Sequence, residues 1–146
     1  MKVSVIIPSL NPDNKLVAVV DALLEEGFKD IIIVNDGSDE EHMAPFKEVA
    51  AHSECTILTH EVNKGKGRGL KTAFEFCLEN RKDIDGVVTV DGDNQHRAKD
   101  IKKCSETMVS TTAAANMIKV TVFKAGILNI IRITAIIWNV VLNLPQ

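Results

Sequence analysis

The feature that most constrains the fold is a repeated pairing of a short apolar run with an amphipathic stretch, recurring at about thirty residues, the length of a βαβ unit. The runs are Val-Ser-Val-Ile-Ile at 3–7, Ile-Ile-Ile-Val at 31–34, Thr-Ile-Leu-Thr at 56–59 and Val-Val-Thr-Val at 87–90. Each is short and rich in β-branched residues, which suits a strand covered on both faces. Between them apolar residues recur at helical spacing: Leu16, Val19, Val20, Leu23 and Leu24 first, with Asn11 placed to cap that helix, Pro12 at its first position and Gly27 at its end. A shorter helix is expected near Pro45 on Phe46, Val49 and Ala50. A third follows on Leu70, Ala73, Phe74, Cys77 and Leu78, and a fourth on Ile101, Cys104 and Met108. Right-handed crossovers turn this alternation into an α/β fold, a doubly wound and mainly parallel sheet that binds ligands at the carboxyl ends of its strands.

A chain of 146 residues is long enough for one domain with a full core. Its net charge of −3 and charged fraction of 25% are ordinary, so no nucleic-acid partner is expected. Cys55, Cys77 and Cys104 are odd in number and lack Cys-x-x-Cys spacing, which predicts reduced thiols and a cytoplasmic protein. Met1 and Lys2 lead directly into the first strand, and Pro8 cuts the apolar run shorter than a signal-peptide core.

Every polar motif of note follows a strand. Ser9, Leu10 and Asn11 follow the first, and Asn-Asp-Gly-Ser at 35–38 follows the second. After the third comes Asn-Lys-Gly-Lys-Gly-Arg-Gly at 63–69, where glycines allow close backbone approach and a helix start offers free N–H groups to an anion. After the fourth comes Asp-Gly-Asp-Asn-Gln-His at 91–96. Two carboxylates so spaced can share one Mg²⁺ or Mn²⁺, cations that prefer hard oxygen ligands and keep positions open for substrate phosphates. Taken singly, each motif is also ordinary turn chemistry. Their joint placement along one rim is what points to a phosphate-and-metal site.

These same residues resemble the family 2 glycosyltransferases of the GT-A fold, which use nucleotide-sugar donors. The resemblance rests on Val-Ile-Ile-Pro-Ser-Leu-Asn, Ile-Val-Asn-Asp-Gly-Ser, Asn-Lys-Gly-Lys-Gly-Arg-Gly-Leu-Lys-Thr-Ala-Phe and Val-Asp-Gly-Asp-Asn-Gln-His, in family order, from Val3 to Met108. The last motif is similar to the Asp-x-Asp-x-Gln-His of the branch that moves sugars onto polyprenyl phosphates. The resemblance implies that Pro8, Ser9 and Asn11 border the base and that Asp36 accepts a hydrogen bond from its ring N–H. It implies that Lys66 and Arg68 reach the base or the diphosphate of a UDP- or GDP-sugar. Asp91 would lie near the ribose or the metal, and Asp93 would bind the Mg²⁺ or Mn²⁺ that bridges the diphosphate. Gln95 and His96 are further candidates for phosphate or metal contact, although a histidine after a turn is more often a surface residue. His42, His52 and His60 show no partner spacing and receive no role.

The motifs divide the chain into a donor-binding part, residues 1–110, and an apolar tail, residues 111–146, where the resemblance is lost. No Asp or Glu follows Glu106, so the acidic general base expected of the family has no recognisable counterpart. Residues 125–144 are long enough to span a bilayer, yet Asn129, Arg132, Asn139 and Asn143 fall on one helical stripe. A packed or membrane-surface helix suits that stripe better than a span, and the β-branched content weakens any helix. An altered reading frame near Ser110 is a third reading. Two functions follow: a transferase that moves a hexosyl unit to an acceptor such as a lipid phosphate, or a non-catalytic nucleotide-binding fragment that pairs with a second chain or with itself through the tail.

Overall fold

The computed structural model describes residues 1–110, 119–124 and 127–132, the last two segments by their backbone. Six strands form one sheet in the order β3-β2-β1-β4-β5-β6: β1 Val3–Ser9, β2 Ile31–Asp36, β3 Cys55–His60, β4 Gly86–Thr89, β5 Lys119–Lys124 and β6 Ile127–Arg132. Neighbours from β3 to β5 run parallel, and β6 runs antiparallel to β5. The helices are α1 Lys15–Glu25, α2 Ala44–Val49, α3 Lys66–Asn80 and α4 Ala98–Ser110.

Alternation along the strands divides the core into two layers. Val3, Val5, Ile7, Ile31, Ile33 and Val88 pack with Leu16, Val20 and Leu23 of α1, Phe46 and Val49 of α2, and Ile101 and Met108 of α4. Ile6, Ile32, Val34 and Val87 point the other way, against Ala73, Phe74 and Cys77 of α3. Strands β1, β2 and β4 are therefore covered on both faces, which is why they are almost continuously apolar in sequence. Desolvation pushes the Cys77 thiol up to about 11, the behaviour of an inert core cysteine.

Two expectations change. Helix α1 starts at Lys15 rather than after Asn11. Asn11 sits at a φ of 48° and turns its side chain to the loop after β2, while Asp13 Oδ1 accepts the Lys15 N–H at 2.8 Å. The other end follows the sequence: Gly27 N–H donates to the Leu24 carbonyl and Phe28 N–H to the Leu23 carbonyl, a Schellman pair closed by the buried side chains of Leu23 and Phe28. In the tail, where a helix from residue 125 was expected, residues 127–132 form β6, paired across from β5 with Lys119 opposite Arg132 and Lys124 opposite Ile127. Ile-Leu-Asn-Ile-Ile-Arg gains little as helix, because its isoleucines lose rotamer freedom there, and β5 supplies a ladder. Residues 133–146 lie outside the described residues.

Candidate nucleotide and metal site

The strand order reverses between β1 and β4, because the chain passes from β1 outward through β2 to β3 and then returns to the other side of β1. Such a switch point leaves a crevice beyond the carboxyl ends of the two strands. A cleft of about 270 Å³ lies there, lined by Pro8, Ser9, Asn11, Lys15, Gly92 and Asp93 among others. Gly92 brings the acidic turn against β1: a β-carbon on it would stand 3.1 Å from Ser9 Oγ. A larger cleft of about 550 Å³ opens at the opposite end of the strands, around Asp30 and Arg81. In it Arg81 Nε donates to both Asp30 oxygens at 3.0 and 3.1 Å and Lys29 pairs with Glu54 at 3.8 Å, and none of the polar motifs that follow the strands lies there.

Asp36 is the most buried acid of the rim. Parallel register sets it directly beside His60, the last residue of β3. Its Oδ1 accepts from His60 Nδ1 at 2.7 Å and from the Lys64 N–H at 2.9 Å. An ionised carboxylate can only accept, so Nδ1 carries a proton, and Nε2 is hydrogen-bonded to Thr72 Oγ1 at 2.8 Å. Burial alone would raise the Asp36 pKa, but the His60 and Lys64 hydrogen bonds outweigh it and hold the carboxyl below the ordinary range. Sequence spacing gave no hint of His60, since a partner 24 residues away becomes adjacent only through strand pairing. The available signal was positional: Asp36 and His60 each close an apolar run.

The second half of the Gly-rich segment is already helix. Helix α3 begins at Lys66, with Gly65 as its N-cap and Gly69 N–H making the first bond back to the Gly65 carbonyl. The N–H groups of Lys66, Gly67 and Arg68 have no intrahelical acceptor, and the helix dipole adds positive potential beside their exposed cations. Lys66 Nζ pairs with Asp91 Oδ1. Segment 64–66 thus joins the two acids, touching Asp36 through the Lys64 N–H and Asp91 through the Lys66 ammonium.

Asn11 ties the first loop to the second. Its N–H donates to Ser38 Oγ at 2.8 Å, its Nδ2 to Asp39 Oδ2 at 3.0 Å, and its Oδ1 accepts the Asp39 N–H at 2.9 Å. Asp93 is exposed on the cleft, with Oδ1 accepting the Gln95 N–H at 3.1 Å. The Gln95 side chain is exposed and His96 is half-buried in the same turn. Among the described residues no three His, Cys, Asp or Glu side chains converge as a closed metal cage. The donor set fits a hard divalent cation held by one or two carboxylates, with Asp93 open to it and Asp91 engaged by Lys66.

Comparison with known proteins agrees with this architecture. The description Glycosyl transferase family 2 matches residues 4–144, continuing past residue 110, where the motif resemblance was expected to end. The UDP-N-acetylglucosamine–dolichyl-phosphate N-acetylglucosaminyltransferase of Methanococcus voltae is 30% identical over 118 residues, covering 72% of this chain and 46% of that protein. An uncharacterized protein of Methanocaldococcus jannaschii is 30% identical over 102 residues, covering 70% of this chain and 40% of its own length. The chain therefore spans less than half of these curated relatives. In fold it is similar to S. aureus TarS 1–349 in complex with UDP-GlcNAc, with a TM-score of 0.59 at 19% identity over 75% of this chain and 32% of that one. The mannosyltransferase PcManGT from Pyrobaculum calidifontis, in complex with GDP-Man and Mn²⁺, superposes with a TM-score of 0.53 at 21% identity over 63% of this chain and 27% of that one. Since the family match takes in residues 4–144 of 146, the chain belongs to glycosyl transferase family 2.

Proposed function

We propose that this chain is the donor-binding part of a glycosyltransferase that takes a UDP- or GDP-sugar with Mg²⁺ or Mn²⁺ and passes its hexosyl unit to an acceptor, a polyprenyl phosphate being the acceptor class. The observation that carries the reading is the joining of Asp36 and Asp91 through segment 64–66, at the switch point of the sheet, with Asp93 open on the adjoining cleft. Support for the donor comes from the nucleotide sugars in the similar structures, and for the acceptor from the dolichyl-phosphate enzyme among the relatives.

In this reading Asp36 accepts a ring N–H of the base, with Pro8, Ser9 and Asn11 along its border. The start of α3, with Lys66 and Arg68, faces the diphosphate. Asp93, with Asp91, holds the divalent cation; when bound, that cation neutralises charge on the departing nucleoside diphosphate. The bond broken joins the sugar's anomeric carbon to the diphosphate, and the bond made joins that carbon to an acceptor oxygen. A phosphate acceptor arrives ionised and needs no protein base.

The test is calorimetric titration of the folded chain with UDP- and GDP-sugars, with and without Mn²⁺. Metal-dependent heat supports the reading, and no heat with any common nucleotide sugar overturns it. A second reading, binding without turnover, is favoured by the chain's covering 40–48% of its curated relatives. The chain alone is then expected to show little incorporation of radiolabelled sugar into membrane lipid extract, and robust metal-dependent incorporation would remove that reading. Among the described residues no helix is long and apolar enough to cross a membrane. Contact with a membrane surface, or self-association, is proposed for the apolar tail, residues 111–146.

A further inference from the structure

Asp36 carries a constraint that a free carboxylate would not. A carboxylate oxygen accepts two hydrogen bonds in its plane, and both places on Oδ1 are taken, one by His60 Nδ1–H at 2.7 Å and one by the Lys64 N–H at 2.9 Å. Neither donor is easily displaced. His60 is 7% exposed in its side chain and locked from behind by Thr72 Oγ1 at 2.8 Å, and Lys64 is fixed through its backbone at the turn into α3. In the proposed donor site Oδ2, on a side chain that is 6% exposed, is then the oxygen that would meet a base.

Bases differ in what they ask of a carboxylate. Guanine presents two adjacent donors, N1–H and the N2 amino group, which pair best with both carboxylate oxygens in a parallel fork. Uracil presents a single N3–H between two carbonyls, and one carboxylate oxygen satisfies it. Cytosine has no ring N–H there at all. Resting on the proposed donor site at Asp36, we propose that His60 is a specificity-determining residue that makes the site select uracil: by occupying Oδ1 with the Lys64 N–H, it leaves Asp36 the one acceptor that uracil needs and denies guanine its fork.

The selection is steric and stoichiometric in donors and acceptors, and requires no change of charge. It also separates the roles of the two ring nitrogens. Nδ1–H is the group that fills Oδ1, whereas Nε2 and Thr72 only hold the ring in place. Asparagine at position 60 can carry an amide N–H near the place of Nδ1, while leucine there carries none.

The experiment is calorimetric titration of the full chain with UDP and with GDP in the presence of Mn²⁺, for the natural sequence, His60→Asn and His60→Leu, with folding followed by circular dichroism. The natural chain is expected to bind UDP at least about tenfold more tightly than GDP, the scale set by one imperfectly paired polar group. His60→Asn should keep most of that margin, and His60→Leu should narrow it by improving GDP relative to UDP. Equal or tighter binding of GDP by the natural chain overturns the inference while leaving the donor-site reading intact, and it does so even if His60→Leu fails to fold. A margin unchanged in a folded His60→Leu removes His60 as its cause. Binding of neither nucleotide by the folded natural chain brings down the donor-site reading, and this inference with it.

Discussion

A β-carbon on Gly37 would stand 2.3 Å from the Val62 carbonyl carbon and 2.4 Å from the Asn63 nitrogen. The loop after β2 is thus pressed against the loop after β3, immediately beside Asp36 and one residue before the Lys64 N–H that Asp36 accepts. Gly37 also has a φ of 75°, so a side chain would be strained as well as crowded. Gly37→Ala is expected to destabilise the chain by about 2–4 kcal/mol, the sum of a positive-φ cost and an overpacking cost. A fall in the urea midpoint at unchanged slope is the measurement, and an unchanged midpoint would refute the contact.

Asp36 makes a prediction with a definite sign in pH. Its folded pKa lies below the ordinary 3.8, so the unfolded chain binds this proton more readily than the folded one. The stabilisation from its ionised form is complete above about pH 4 and is lost as the pH falls through 3.8 towards the lowered folded value. Asp36→Asn should cost about 1–3 kcal/mol at neutral pH, the range for a weakened buried hydrogen-bond set. Urea titrations of both proteins from pH 7 to pH 3 should show that difference shrinking only at the acid end.

Lys66 and Asp91 are 61% and 35% exposed in their side chains, so their ion pair is screened and adds little to stability. Asp91→Asn should shift the unfolding free energy by less than about 1 kcal/mol. Nucleotide binding should respond much more, because the same substitution frees Lys66 and removes a carboxylate that the proposed function assigns to the cation. Comparing nucleoside diphosphate with nucleoside in the titration isolates the effect to the diphosphate; an equal change for both would count against this placement.

Asp93 is exposed and accepts a backbone N–H two residues on, a contact of small structural value. Asp93→Ala should leave the urea midpoint nearly unchanged and abolish the difference between donor titrations run with Mn²⁺ and with chelator. Metal dependence that survives the substitution would move the cation to other ligands.

Periodicity and punctuation made much of this protein legible without coordinates. The four apolar runs are β1 to β4, and the nearly continuous burial of β1, β2 and β4 is a consequence of cover on both faces, which is also what makes them apolar without alternation, whereas β3 is mostly half-buried. That each polar motif follows a strand put Asp36, Asp91 and Asp93 on one rim, because parallel strands send all their carboxyl ends the same way. What local pattern could not decide was anything set by strand order. Asp36 meets His60, Asn11 meets Ser38 and Asp39, and Lys66 meets Asp91 across 24, 27, 28 and 25 residues of sequence. No spacing rule reaches that far. The same holds for β6, whose apolar sequence is compatible with helix or strand until β5 lies beside it to accept its backbone hydrogen bonds. Composition and local propensity determined the elements and the rim, while the pairing register of the sheet decided which acid found which partner, since hydrogen-bond geometry is fixed only when two strands share a ladder.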